Sequence, residues 1–201
     1  VAFGGDDGHG QGTVMKGRRE KGQYGYRDHR RKIETAKVIF GGAAILAQLL
    51  ARNFTDNEAA KNILTVMAIL SVLPAANAAS PLLASWNLRT PSRGFYDRAQ
   101  SFGDRGILLY DLILTSKEQI MPMDAVLVHP LGVFAYCTGK KVDVKKAEAF
   151  LEETFRQRGL GGKARVLKDE EAFFKTIKSL APAAVAQKEE DQARALKAVS
   201  M

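Results

Sequence analysis

Between Lys61 and Arg89 the chain runs through residues 62 to 88 without one charged side chain. About 20 apolar residues at about 1.5 Å rise each cover the roughly 30 Å hydrocarbon core of a bilayer, so this run is long enough to cross one even with Pro74 and Pro81 inside it. A segment of that kind must be wrapped either by a protein core or by lipid. The charges on its flanks help to decide which.

A second uncharged run precedes it, residues 38 to 51. At helical rise it reaches only about 21 Å. Counted from Ile33 to Phe54 it becomes long enough, provided Lys37 and Arg52 snorkel toward the interfaces. Small residues recur every fourth position in both runs, at Ala43, Ala47 and Ala51 and at Ala76, Ser80 and Ala84, and such steps permit two helices to approach closely. The connector from Arg52 to Lys61 is short and neutral in sum, as a hairpin turn would be. Pro74 and Pro81 are expected to kink the second helix or end it early. Trp86 suits an anchor at the interface.

From Met15 to Lys37 there are nine basic residues (16, 18, 19, 21, 27, 30, 31, 32, 37) against three acids, Glu20, Asp28 and Glu34. Arg89, Arg93, Arg98 and Arg105 follow the second run. Nucleic-acid phosphates and an anionic lipid leaflet would both attract such clusters. Their position against two apolar runs favours the leaflet, with both termini on the cytoplasmic side of a bacterial inner membrane. The whole-chain mean hydropathy of −0.16 conceals this segregation of charge. The competing reading is a soluble domain that buries both runs as core helices. Ala76-Asn77-Ala78 has the look of a signal-peptidase site, but it lies too deep in the chain.

Residues 1–14 are rich in glycine, lack apolar periodicity and are expected to be disordered; they read as an extension upstream of a natural start at Met15. His9 with Asp6 and Asp7 reads there as part of a solvated tail rather than a metal site. A single cysteine, Cys137, excludes an intrachain disulfide framework and the common multi-cysteine zinc sites.

After residue 105 the apolar period changes. Residues 107–114, 124–129 and 132–137 read as strands, the last two joined by a tight turn at His129-Pro130-Leu131-Gly132. Asp143 then caps a helix carrying Val144, Ala147, Phe150, Leu151 and Phe155, stopped at Gly159. A short strand at 164–167 and a helix opened by Asp169 complete the set before Pro182. The expected fold class is therefore α+β: an N-terminal transmembrane helical hairpin followed by a small β-β-β-α-β-α domain. Its parts are a disordered basic segment (1–32), the hairpin (33–88), a linker (89–105) that could instead form a single helical turn around Phe95 and Tyr96, a cytosolic α/β domain (106–182) and a flexible or helical tail (183–201).

Chemistry-bearing residues are few. Asp111 lies mid-strand among apolar neighbours, a costly placement unless it is paired or at an edge, and Asp124 opens the next strand. Two acids on adjacent strands could share a divalent cation; a strand-end cap and an exposed edge charge are the plainer account. His129 before a turn proline reads as structural, and Cys137, with no base in sight, as a small buried hydrophobe. Gly159 to Gly162 follows a helix and precedes a strand, the reverse of a phosphate-cradling loop. No catalytic, cofactor-binding or metal-ligating residue is assigned.

The stretch Met123 to Tyr136 resembles the hairpin of the nuclease-related domain, in which an Asp opens one strand and a Gly-hydrophobic-Phe segment opens the next. That resemblance implies a restriction-endonuclease-like core. It also implies a Glu-x-Lys at the end of the second hairpin strand, where this chain has Cys137-Thr138-Gly139, so metal-assisted phosphodiester cleavage would lack a ligand and a charge stabiliser. Glu20 to Arg27, Thr65 to Trp86 and Asp143 to Glu148 together resemble an uncharacterised bacterial two-span membrane protein family, which brings no activity with it. The functional expectation is a non-enzymatic membrane protein with the lipid bilayer as one partner and a protein held by the C-terminal module as another. The alternatives are a nucleic-acid-associated protein with a catalytically degenerate nuclease-like domain, and a soluble enzyme using Asp111 and Asp124.

Overall fold

The computed structural model describes residues 20–201, so the expectations for residues 1–14 lie outside it. Two antiparallel helices, α1 (Tyr26–Asn53) and α2 (Glu58–Ser85), each of 28 residues and about 42 Å long, form a hairpin that projects from a mixed α+β body. Asn57 caps α2 at the far tip, its side chain accepting from the amides of Ala59 and Ala60. Both helices are long and apolar enough to cross a membrane. Neither Pro74 nor Pro81 ends α2, which runs on to Ser85.

Among the described residues, none outside the hairpin wraps it. On α2 the side chains of Ile63, Val66, Met67, Ile69, Leu70, Val72 and Leu73 are exposed. At about 100° per residue they cover roughly 220° of its circumference. On α1 Ile39, Phe40, Leu46, Leu49 and Leu50 are exposed likewise. The two helices meet along the remaining arc, where a Cβ on Gly41 would stand 3.4 Å from that of Ala75 and the Gln48 amide donates to Ser71 Oγ at 3.4 Å. This corrects the expected interface: Ala43, Ala47, Ala51, Ala76 and Ser80 are exposed, and Gly41, Gln48, Ala68, Ser71 and Ala75 lie toward the helix partner.

The body is a four-stranded sheet between two helical layers. Strands β1 (Ile107–Thr115), β2 (Ile120–His129) and β3 (Gly132–Cys137) are antiparallel neighbours, and β4 (Ala164–Leu167) pairs parallel to β3 after the crossover helix α4 (Val144–Arg156). One face packs on α4 and α6 (Gln187–Val199), with Leu151, Phe155 and Leu196 at its centre. The other packs on α3 (Arg93–Gln100) and α5 (Glu170–Ser179), through Phe95, Phe173, Phe174 and Ile177. As expected from their position, Asp143 and Asp169 cap α4 and α5 by accepting from Lys146 N and Ala172 N.

Three expected boundaries shift. Residues 20–32 are not a disordered lead-in: Gly22 bridges to Tyr110 on the edge of β1, and α1 begins at Tyr26. Residues 89–105 are more than a linker: the helical turn expected around Phe95 and Tyr96 is the longer helix α3, which buries Phe95 and Ala99 in the core. The tail takes the helical of its two expected forms over Gln187–Val199, as α6, and it is not frayed: Ala193, Ala195 and Leu196 fill the first face. Its buried polar residues are satisfied, Glu189 accepting from Ala186 N at 2.9 Å and Gln192 donating to the Gly161 carbonyl at 2.7 Å.

Both sheet edges are covered. Beyond β1, Met201 N donates to the Ile113 carbonyl and Ser200 Oγ accepts from Ile113 N. On β4 the outward amides of Ala164 and Val166 donate to the carboxylates of Glu152 and Glu148 on α4, at 3.1 and 2.9 Å. Unpaired edge groups of this kind would otherwise template pairing with another chain.

Candidate functional site

Asp111 and Asp124 stand opposite each other in the β1–β2 ladder, between the pairs Tyr110↔Ala125 and Leu112↔Met123. Both strands are irregular at that level. Asp111 adopts φ +57°, and the β2–β3 register shifts between Met123 and Ala125. Side chains alternate between sheet faces with period two, so an irregular residue exchanges the faces of everything beyond it. Leu109 and Leu112 accordingly share one face, as do Met123 and Val126. Asp tolerates the left-handed region better than most residues because its short side chain bonds locally.

Into this break reaches Arg27, from the first turn of α1. Its guanidinium lies between the two carboxylates, and Arg27, Asp111 and Asp124 are 3%, 0% and 2% exposed. Nη1 donates to Asp124 Oδ1 and, at 3.2 Å, to the Arg89 carbonyl just after α2; Nη2 donates to the Leu112 carbonyl at 2.9 Å. Nε and Asp111 Oδ1 face each other at 3.8 Å as an ion pair without a hydrogen bond. Asp124 Oδ2 is filled by the backbone and hydroxyl of Thr138, at 3.0 and 2.5 Å.

Asp111 has a second task. Its Oδ2 accepts from Gly25 N at 2.7 Å, from Arg27 N at 3.5 Å and from Thr90 Oγ1 at 2.8 Å. The N-cap residue Gly25 has no side chain with which to cap α1, so a carboxylate from the sheet caps it instead, placed where the helix dipole favours negative charge. Burial pushes the Asp111 carboxyl above its ordinary range, while the guanidinium, the Thr90 hydroxyl and the two amides pull the other way. One arginine and one aspartate thus tie the base of the hairpin to the middle of the sheet.

No family model, no curated protein and no solved structure matches the chain. The two acids singled out in the sequence do come together, though neither is the edge charge or strand-end cap expected of it. The positive charge between them is Arg27, and among the described residues no three His, Cys, Asp or Glu side chains converge as a metal-binding group. His129 stands apart: Leu131 N donates to its Nδ1, and its Nε2 meets the Ala181 carbonyl at 3.2 Å, which fastens the chain after α5. Cys137 is fully buried, and that burial pushes its thiol up, away from the reactive thiolate. Thr138, at the position where the nuclease resemblance implies a Glu-x-Lys, binds Asp124.

Arg27 was not legible as a site residue. In the sequence it is one of nine basic residues upstream of the first apolar run, and the only hint was that Asp111 required a partner.

An open cleft of about 550 Å³ adjoins this cluster. Asn87, Leu88 and Arg89 form one wall, Ile120, Pro122 and the loop Thr138 to Val142 the other, and Arg27 reaches its base.

Proposed function

We propose that the protein is a two-span protein of the bacterial inner membrane, both termini cytoplasmic, whose hairpin anchors a cytosolic α/β module that presents itself to a protein partner without performing chemistry of its own. The observation that carries this reading is the broad apolar exposure of α1 and α2. A single docking partner would cover one stripe, whereas apolar side chains spread over more than half of a helix's circumference suit a solvent that surrounds it. Support comes also from the placement of charge. The basic residues of the first turns of α1 lie at the body, with Arg89, whereas the distant tip mixes Arg52, Asp56, Glu58 and Lys61. The Gln48–Ser71 contact inside the hairpin is the kind of polar bond that joins helices in lipid.

Reporter fusions after Asn57 and after Met201 test it. The hairpin reading requires the two reporters on opposite sides of the membrane, the second in the cytosol, and the full chain to resist alkaline extraction. Release at alkaline pH, or both reporters on one side, would overturn it.

A second reading is a nucleic-acid-associated protein with a degenerate nuclease-like core. It draws on the sheet order, three antiparallel strands, a helix and a parallel fourth strand, which is the order that resemblance implies. It requires the full chain in detergent to be retained on DNA with an affinity that falls by orders of magnitude between 50 and 200 mM salt, on the order of 10³-fold for six phosphate contacts.

A further inference from the structure

The cleft beside Arg27 has a positive excess. Arg89, Lys140 and Lys141 line it, and among the described residues no carboxylate lies within 4.0 Å of any of their cationic groups. Counting Asp111 and Asp124 against all four cations, Arg27 included, still leaves an excess of about two positive charges at the cleft. In another groove, between α3 and α5, carboxylates stand among the cations, and Glu171 holds Arg98 at 2.7 Å. Polar groups that can accept or donate, from Asn87 and Thr138, stand among the cations, and Leu88 and Ile120 give the cleft an apolar side. Its wall is the chain that leaves α2, directly after the exposed Trp86. The cleft therefore opens at the level where the apolar surface of the hairpin stops.

We infer that this cleft binds a phosphate-bearing anion, and that its natural occupant is the headgroup of an anionic phospholipid, with the acyl chains lying along the end of α2. This rests on the membrane reading above. Ammonium and guanidinium groups recognise phosphate oxygens by charge-assisted hydrogen bonds, and each cation near an anionic lipid surface is worth about fivefold in binding. A lipid adds apolar contact with Leu88 and Ile120 that a free phosphate cannot supply. Such a headgroup would hold the body against the bilayer and leave the rest of its surface for a partner.

The test uses the full chain, delipidated in detergent, with lipid binding followed by native mass spectrometry. The probes are a phosphatidylglycerol and a phosphatidylcholine of equal chain length, with inorganic phosphate as a third arm. Arg89→Gln, Lys140→Gln and Lys141→Gln are combined in one variant, and Lys140→Glu with Lys141→Glu in another; thermal unfolding confirms that both fold. The wild type should prefer the phosphatidylglycerol by at least about tenfold, and both variants should lose that preference to within about twofold. An equal affinity of the wild type for the two lipids overturns the proposal, and so does a preference that survives in the variants. Stabilisation of the wild type by inorganic phosphate without any lipid preference overturns the lipid assignment in favour of a soluble phosphate compound. Should the chain prove soluble without detergent, the membrane reading fails, and the phosphate arm alone then decides whether the cleft binds this anion.

Discussion

At the scale of single residues, the organising contact is Arg27 between Asp111 and Asp124. Ion pairs buried this deeply add little over a hydrophobic replacement of the whole group, yet removing one member is costly because the others stay buried and unpaired. R27M should therefore lower the unfolding free energy by about 3–5 kcal/mol, read as a fall in urea midpoint in detergent. R27K should lose most of that too, since one ammonium cannot reach Asp124, the Leu112 carbonyl and the Arg89 carbonyl together. An unchanged midpoint in R27M would remove the cluster from any structural account. Asp111 brings a pH dependence. A carboxyl raised by folding binds more protons when folded, so its contribution is complete below the ordinary carboxylate range and is lost as pH rises through the raised value. Relative to D111N, which cannot titrate, the wild type should lose stability over the window that begins at the ordinary carboxylate range, about pH 4, and runs up through the raised value. A difference that stays constant over that window contradicts the raised carboxyl.

At the scale of elements, the hairpin shows how a pattern can be right in kind and wrong in face. Small residues do let α1 and α2 approach, but at Gly41 and Ala75 rather than along Ala43, Ala47 and Ala51. Spacing of four marks a stripe on a helix without saying which neighbour it meets, and in this chain Arg27 fixes the rotation of α1 from its buried end. Cysteines at positions 48 and 71 should cross-link within one chain on mild oxidation, and cysteines at 43 and 76, at a matching level but on the exposed faces, should not. The reverse result would rotate the hairpin. For helix α6 the pattern allowed the helix but not its burial. Its buried face is Ala193, Ala195, Leu196 and the hydrogen-bonded Gln192, too small and too polar to read as amphipathic. L196A should nevertheless cost about 2–5 kcal/mol, and an effect well under 1 kcal/mol would mean that α6 is detached in solution.

At the scale of the whole molecule, anchor and body are not separable units joined by a linker. Strand β1 receives Gly22 on its edge, its Asp111 caps α1, and Arg27 donates to carbonyls both in the sheet and after α2. A fragment of residues 90–201 lacks all of these partners and keeps both carboxylates. It should be loosened, with broad thermal unfolding and dye-accessible apolar surface, while a fragment of residues 20–201 in detergent unfolds cooperatively; equal cooperativity in the two would show the body to be autonomous. What the sequence by itself determined was local: two uncharged runs of helix length, the strands that follow, and the aspartates that start α4 and α5. These depend on periodicity and on side chains bonding to backbone a few residues away. Tertiary structure alone decided which faces met, that residues 89–105 and 187–199 belong to the core, and that Asp111 would find its cation 84 residues away. A buried charge announces that it needs a partner, but the partner is chosen by how distant segments are brought together in space, and local pattern carries no record of that.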